Sequence, residues 1–331
     1  MDERRPGLAP VVAEVRLAVR RALTGVPRGA TVLVALSGGA DSLALAAATA
    51  FEASKLGLRV AAVTVDHGLQ DGSTDAAAAA AATAEALGLE ARVVRVEVGA
   101  AGGPEAAARD ARYRALRDAA RDAGAAAILL GHTLDDQAET VLLGLARGAG
   151  ATSLQGMAEV SELDGVALLR PLLGVRRSTT RAACAAEGLE PWEDPQNADP
   201  RFARVRVRET VLPVLEAELG PGIADALART AAQLREDAEA FDEMIDETIE
   251  DIVEHAEAGI SVSVAALAAN PAALRNRIIR HVVASEFHQG LTRSQTIEVA
   301  RLVTDWSGQG PIDLPGCRAR RVGGRIEFTA R

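Results

Sequence analysis

Thr31-Val32-Leu33-Val34-Ala35-Leu36-Ser37-Gly38-Gly39-Ala40-Asp41-Ser42 runs from an uninterrupted apolar stretch into a glycine pair, and the helix-forming Leu43-Ala44-Leu45-Ala46-Ala47-Ala48 follows at once. A short apolar run bounded by a turn reads as a buried strand, so the segment is a strand, a tight loop and a helix N-terminus. Such a junction attracts anions, because the first N–H groups of a helix lack partners and the peptide dipoles add positive potential there. Gly38 and Gly39 let the main chain approach phosphate oxygens, and the Ser37 and Ser42 hydroxyls add donors. Asp41 belongs beside phosphates when a divalent cation lies between them, which makes it the metal candidate and points to a metal nucleotide.

Outward from this segment, apolar strands at 58–65, 90–98, 126–130 and 166–169 alternate with helices at 73–87, 105–123 and 134–146. The alternation predicts an α/β fold, a Rossmann-like parallel sheet with helices on both faces. The alanine run 76–82 reads as helix, since alanine is the best helix former. After Pro171 come a helix at 178–187, the loop Pro191-Trp192-Glu193-Asp194-Pro195-Gln196-Asn197 and an arginine stretch ending near Pro213. The expected domain boundary is Gly220-Pro221-Gly222, giving domains 1–220 and 221–331. The second is expected to be mainly helical, acidic to about 257, with helices at 271–288 and 293–303. A short terminal hairpin of 318–322 and 325–329 turns at Gly323-Gly324.

A chain of 331 residues with 48% hydrophobic content has enough apolar surface for two domains. The net charge of -10 weighs against indiscriminate nucleic-acid binding. Arginines nevertheless cluster at Arg201, Arg204, Arg206 and Arg208 and at Arg318, Arg320, Arg321 and Arg325, which fits either specific RNA contacts or surface salt bridges. Lys55 is the only lysine, so every other basic contact is arginine, the better bidentate phosphate clamp. The opening Met1-Asp2-Glu3-Arg4-Arg5-Pro6 has no signal-segment character and no run of eighteen apolar residues occurs, so a soluble, cytoplasmic protein is expected. Cys184 and Cys317 are too few for a disulfide framework or a cysteine metal site, and Cys184 reads as a buried inert thiol.

In an open parallel sheet, ligands bind beyond the carboxyl ends of the strands. There the sequence places Val65-Asp66-His67-Gly68-Leu69 and Gly131-His132-Thr133-Leu134-Asp135-Asp136-Gln137-Ala138-Glu139-Thr140. Asp136 and Glu139, three apart on a helix, share a face and suit a cationic substrate or Mg²⁺; the alternative is two acids favoured by the helix N-terminus. A zinc site at His132 is weaker, because no second histidine stands at ligand spacing. Glu105 and Arg109 have the i,i+4 spacing of a salt bridge, on the helix that carries Arg112 and Tyr113.

Ser37-Gly38-Gly39-Ala40-Asp41-Ser42 has neither the Walker lysine nor the Gly-x-Gly-x-x-Gly spacing, and it resembles the PP-loop of the N-type ATP pyrophosphatases. With Val65-Asp66-His67-Gly68-Leu69, Glu105, Ala111-Arg112-Tyr113, Gly131-His132, Asp135-Asp136, Glu139-Thr140, Arg147-Gly148-Ala149-Gly150, Arg170-Pro171-Leu172, Trp192-Glu193-Asp194-Pro195 and Asn197, the chain from 32 to 213 resembles the tRNA(Ile)-lysidine synthases. The resemblance implies ATP-dependent ligation of free lysine to C2 of the wobble cytidine of a CAU-anticodon tRNA(Ile), through an adenylated cytidine, with ATP and Mg²⁺ and a possible homodimer. It implies ATP contacts at Ser37, Gly38, Gly39, Ala40, Asp41 and Ser42, adenine near Val65 and His67, and ribose near Gly131. Asp41, Arg112, His132, Asp136 and Glu139 are the implied catalytic set, Asp41 the implied Mg²⁺ ligand, and Arg201, Arg204, Arg206 and Arg208 the implied tRNA contacts. The second domain is the implied tRNA seat. Two positions depart from the family pattern: Val205 replaces an asparagine and Gln70 an arginine. The rival readings are a tRNA thiolase, an amide-forming synthetase and a catalytically silent nucleotide- or RNA-binding module.

Overall fold

Thr31–Ala35 forms β1, and its side chains divide between two cores: Val32 and Val34 pack on one side, while Leu33 packs on the other with Val63 and Ile128. Period-two alternation within a wholly apolar strand requires a layer of helices on each face. The computed structural model describes residues 7–68, 72–99, 103–148, 150–256 and 259–331. They form two units, Met1–Leu234 and Arg235–Arg331.

In the first unit, α1 (Pro10–Leu23) precedes β1, and α2 (Ala40–Leu56), β2 (Arg59–Asp66), α3 (Ser73–Ala86), β3 (Glu90–Arg95), α4 (Pro104–Asp122), β4 (Ala125–Leu129) and α5 (Leu134–Ala146) follow. Then come α6 (Ala151–Leu154), β5 (Val160–Leu163), β6 (Val166–Leu169) and α7 (Arg177–Ala186). The sheet order is β3-β2-β1-β4-β6-β5, parallel except where β5 runs antiparallel to β6. One core joins Val12, Val15 and Val19 of α1 and the small residues Ala44, Ala46 and Ala48 of α2 to the sheet and to Cys184 of α7. The opposite core sets Leu116, Ala119 and Ala120 of α4 against Leu33, Val63, Ile128 and Leu168.

The parallel α/β fold expected from the sequence is present, with an antiparallel edge strand added. That strand, β5, is only four residues of mixed polarity. Its hairpin turns on Asp164-Gly165, both at positive φ (47° and 86°), the Asp-Gly signature of a tight two-residue turn.

The segment after α7 carries α8 (Ala203–Arg206), a π-helical turn at Val207–Val211, α9 (Leu212–Leu219) and then α10 (Ile223–Ile252). The two units divide inside α10, not at Gly220-Pro221-Gly222. That glycine-rich break is a turn between helices, and Ala224, Leu227 and Ala228 beyond it still pack with Leu134, Ala138, Val207 and Leu212 of the first unit.

The second unit contains β7 (Val253–Ala256), β8 (Gly259–Ser263), α11 (Val264–Ala269), α12 (Ala272–Phe287), α13 (Arg293–Thr304), β9 (Ile312–Leu314), β10 (Cys317–Val322) and β11 (Arg325–Ala330). The expected hairpin is β10–β11, but it is the middle of a five-stranded antiparallel sheet in the order β7-β8-β11-β10-β9. The helix expected to reach 257 stops at Ile252, because Val253 pairs with Val262 and strand pairing overrides local helix preference. Gly259 is forced: a Cβ there would collide with the Phe328 carbonyl oxygen. Along β10, Cys317 and Ala319 point into the core with Phe328 and Ile278. Arg318 and Arg320 face solvent and pair with Asp313 and Glu327. Arg321 lies over the ring of Trp306, 5.2 Å from its centroid. No helix among the described residues is long and apolar enough to cross a membrane.

Candidate active site

β1 and β4 are neighbours whose chains leave toward opposite edges of the sheet, and the crevice beyond their carboxyl ends is where such sheets hold ligands. The loop after β1 lies there. Ser37 N–H donates to Ser42 Oγ (3.1 Å), Ser42 Oγ–H donates to the Gly39 carbonyl (2.9 Å), and the two serine hydroxyls are 3.0 Å apart. Gly38 takes φ of 81°, a left-handed conformation that suits glycine. Gly39 caps α2 with no side-chain bond to the helix, so the first amides of α2 are left for a ligand. Two other loops close on this turn. Trp192 N–H donates to the Gly38 carbonyl (3.0 Å), and Gly131 packs so tightly that a Cβ would lie 3.2 Å from the Asp41 backbone and the Ser42 Cα. The Cys184 thiol donates to the Ala40 carbonyl (3.3 Å), and burial pushes its pKa up to about 11, so it is an inert core thiol.

Beside this loop stands a cage of three carboxylates and three guanidiniums. Glu139, fully buried, accepts from Arg177 Nη1 (3.1 Å) and from Arg208 Nε (2.8 Å) and Nη2 (3.2 Å), and Arg204 Nε lies 3.2 Å from its Oε2. Asp136 Oδ2 accepts from the Thr133 amide (2.8 Å) and hydroxyl (2.9 Å), closing a capping box at the start of α5, and its Oδ1 accepts from Arg177 Nη2 (2.8 Å). Asp41 Oδ2 accepts from Arg177 Nε (3.4 Å), and its Oδ1 accepts a close hydrogen bond from Thr180. Asp135 accepts from the backbone N–H of Arg177 (2.8 Å) at the start of α7. Burial drives the Asp41 pKa up, against the Thr180 bond and Arg177. Burial acts the same way on Asp136, but there Arg177, the Thr133 amide and His132 prevail and hold it below the usual range. Arg177, desolvated yet facing Asp136, Glu139 and Asp41, is raised. Over the cage opens a cavity of about 190 Å³ lined by Asp135, Glu139, Arg176, Arg177, Arg208, Leu212, Pro213, Glu216 and Ala224.

On the other side of His132 the electrostatics invert. Burial lowers the Arg112 pKa, with Arg109 and Arg204 adding to the strain, and no carboxylate among the described residues pairs with it. Burial, then Arg112, also lowers His67; burial above all brings His132 down to about 4, against the pull of Asp136. Both imidazoles are therefore neutral near pH 7, and their Nδ1 atoms are buried without a partner. A half-buried guanidinium with no carboxylate partner among the described residues, beside two imidazoles with unsatisfied Nδ1 atoms, is a place for an anion or a polar ligand edge. Asp66 fixes the turn that carries His67: it accepts from the Gly68 amide (2.9 Å), Ser73 Oγ (2.8 Å) and Thr74 Oγ1 (2.9 Å).

The structure thus gathers Ser37, Gly38, Gly39, Ala40, Asp41, Ser42, Gly131, His132, Asp136 and Glu139 around one crevice, with Val65 half-buried at the end of β2. It splits the arginine stretch. Arg204 and Arg208, four residues apart, turn inward to Glu139; Arg206 donates to the Pro200 and Arg201 carbonyls; Arg201 is 86% exposed and paired with Asp199. Val205 is buried at its departure from the family pattern. Leu69, Gln70 and Ala149, and the side chain of Glu105, lie outside the described residues. Arg109 and Arg112 both lie near the Tyr113 ring, at 4.9 and 5.6 Å. Arg177 and Thr180 escaped the sequence reading although they open the helix after the last parallel strand, where strand-end reasoning points.

Residues 15–215 match the PP-loop domain family, and residues 263–327 match the family described as the TilS substrate binding domain. The chain is 61% identical over 302 residues to a protein of Leifsonia xyli subsp. xyli named tRNA(Ile)-lysidine synthase, covering 91% of this chain and 90% of that one. A Thermobifida fusca protein of the same name is 52% identical over 328 residues, covering 98% and 99%. Another, from Salinispora tropica, is 54% identical over 325 residues, covering 96% of each. Among solved structures, the U34-tRNA thiolase NcsA from Methanococcus maripaludis with its [4Fe-4S] cluster shares the fold. Its TM-score is 0.58 at 21% identity, covering 68% of this chain and 80% of that one.

Proposed function

Because the chain belongs to the tRNA(Ile)-lysidine synthase family, we propose that it joins the ε-amine of free lysine to C2 of the wobble cytidine of CAU-anticodon tRNA(Ile), with ATP converted to AMP and pyrophosphate. The cytidine carbonyl oxygen is a poor leaving group until it carries AMP, so adenylation comes first. The O2 oxygen attacks the α-phosphorus as the bond to pyrophosphate breaks. The amine then attacks C2, the C2–O bond breaks, AMP departs with the electron pair, and the amine gives up a proton.

The observation that carries this reading is the adjacency of opposite needs: a carboxylate cage beside a half-buried guanidinium that has no carboxylate partner among the described residues. Ser37 to Ser42 and the free amides of α2 suit the ATP phosphates, with His67 and Val65 beside the adenine and Gly131 beside the ribose. Arg112 fits the anionic groups of the activated cytidine, where a desolvated guanidinium acts most strongly on developing charge. Neutral His132 offers a hydrogen bond without adding a second cation. Asp136 and Glu139 fit the lysine ammonium, and one of them takes its proton. The cavity beside Glu139, lined by Asp135 rather than Asp136, is smaller than the about 300–1,000 Å³ of drug-sized ligand sites.

Asp41, half-buried and raised in pKa, would be the protein ligand for Mg²⁺, which would neutralise phosphate charge when bound. A thiolase reading would need cluster-binding or nucleophilic cysteines, whereas the chain has two, both buried and raised in pKa. The homodimer belongs to this reading through the family resemblance, and the mass of the protein in solution tests it.

The decisive experiment is incorporation of labelled lysine into unmodified tRNA(Ile), with a transcript substituted at C34 as control. Incorporation that needs both ATP and C34 is expected; none, from folded protein that binds ATP, would overturn the proposal.

A further inference from the structure

Among the described residues, Arg177 is the one side chain that touches all three carboxylates of the cage, through a different nitrogen for each: Nε to Asp41, Nη2 to Asp136 and Nη1 to Glu139. Asp41 lies on the phosphate loop, and the other two acids lie on α5. We infer that Arg177 couples the nucleotide side of the site to the amine side, so that each substrate tightens the binding of the other. The inference rests on the lysine assignment to Asp136 and Glu139.

The hydrogen-bond inventory gives the reason. Asp136 Oδ2 is committed to Thr133, which leaves Oδ1, and Oδ1 is taken by Arg177. Both Glu139 oxygens face guanidiniums, Oε1 being shared by Arg177 and Arg208. An incoming ammonium therefore competes with Arg177 for the same oxygens. Arg177 is only 16% exposed, so a displaced guanidinium needs a new anion within the site rather than water. Its contact with Asp41 already aims Nε at the phosphate loop. With nucleotide bound, phosphate oxygens supply that anion and Arg177 leaves the acids at low cost; without nucleotide, lysine must evict it. Linkage makes the effect reciprocal.

The test measures binding of labelled lysine to the full chain by equilibrium dialysis, with and without Mg²⁺ and the non-cleavable α,β-methylene analogue of ATP. In the unaltered protein the nucleotide is expected to tighten lysine binding about 10-fold, within the usual range of coupling between sites. In Arg177→Met the competitor is gone. Lysine should bind several-fold tighter without nucleotide, and the nucleotide effect should shrink below about twofold. That gain in affinity on removing an arginine is a result a merely structural residue does not give. Arg177→Lys, which keeps the charge but lacks the three-way reach, should lose most of the coupling as well.

No nucleotide effect in the unaltered protein, or full coupling in a folded Arg177 variant, would overturn the inference. Glu139→Gln separates the two layers: unchanged lysine affinity there would remove the lysine pocket itself, whereas weakened lysine binding with coupling intact in Arg177→Met would remove only the role of Arg177.

Discussion

Glu139→Gln tests whether the carboxylate cage is an electrostatically closed unit. Asp41, Asp136 and Glu139 balance Arg177, Arg204 and Arg208 one for one, and Glu139 alone meets all three guanidiniums while fully buried. Removing one partner of a buried pair costs about 3–5 kcal/mol, because the other charge stays desolvated. Glutamine keeps one acceptor oxygen, and the arginines retain 16–31% exposure, which places the loss near the lower end, about 3 kcal/mol. At about 2–4 °C per kcal/mol for a unit of this size, the melting temperature should fall by about 6–12 °C. Calorimetry on the full chain reads this directly. If stranded guanidiniums are the cause, adding Arg208→Gln should recover part of the loss, a double-mutant coupling of about 1 kcal/mol or more. A single-variant loss below about 0.5 kcal/mol, the scale of an ordinary surface change, would refute the account.

Asp136→Asn should raise the lysine KM far more than the ATP KM, since the amide still caps α5 but no longer attracts an ammonium; equal effects on both would remove the assignment. Arg112→Met should raise the melting temperature by about 2–4 °C, corresponding to about 1 kcal/mol, while lysidine formation collapses. A fall in both would show that Arg112 serves the fold. His132 titrates near pH 4 when folded against about 6.5 unfolded, so stability present above about pH 6.5 is lost as pH falls toward 4. Imidazole NMR of the native protein should accordingly show no His132 titration between pH 5 and 8, and a midpoint near 6.5 would contradict the burial argument.

The phosphate loop is legible in the sequence because everything that makes it is local: an apolar run, two glycines and an alanine-rich helix within eighteen residues. The cage is only half legible. Asp136 and Glu139 stand out by helical spacing, but Arg177 reaches Asp41 across 136 positions and Asp136 across 41, and no local pattern carries such a pairing. Grouping Arg201, Arg204, Arg206 and Arg208 by composition hid a division that helical spacing contains. Arg204 and Arg208 share a face toward Glu139, and the other two do not. β7 and β9 are too short to declare themselves and exist through their partners, whereas the Asp164-Gly165 hairpin was readable from its turn residues.

The chain has two tryptophans, and the fold gives one to each unit. Trp192 is bonded through its amide to Gly38 of the phosphate loop, while Trp306 lies against Arg321 beside the antiparallel sheet. Replacing either with phenylalanine leaves a single intrinsic fluorophore. The Trp192 emission then reports nucleotide arrival at the loop, the Trp306 emission reports events at the other unit, and the order in which a tRNA engages the two becomes a matter of stopped-flow optics without any attached dye.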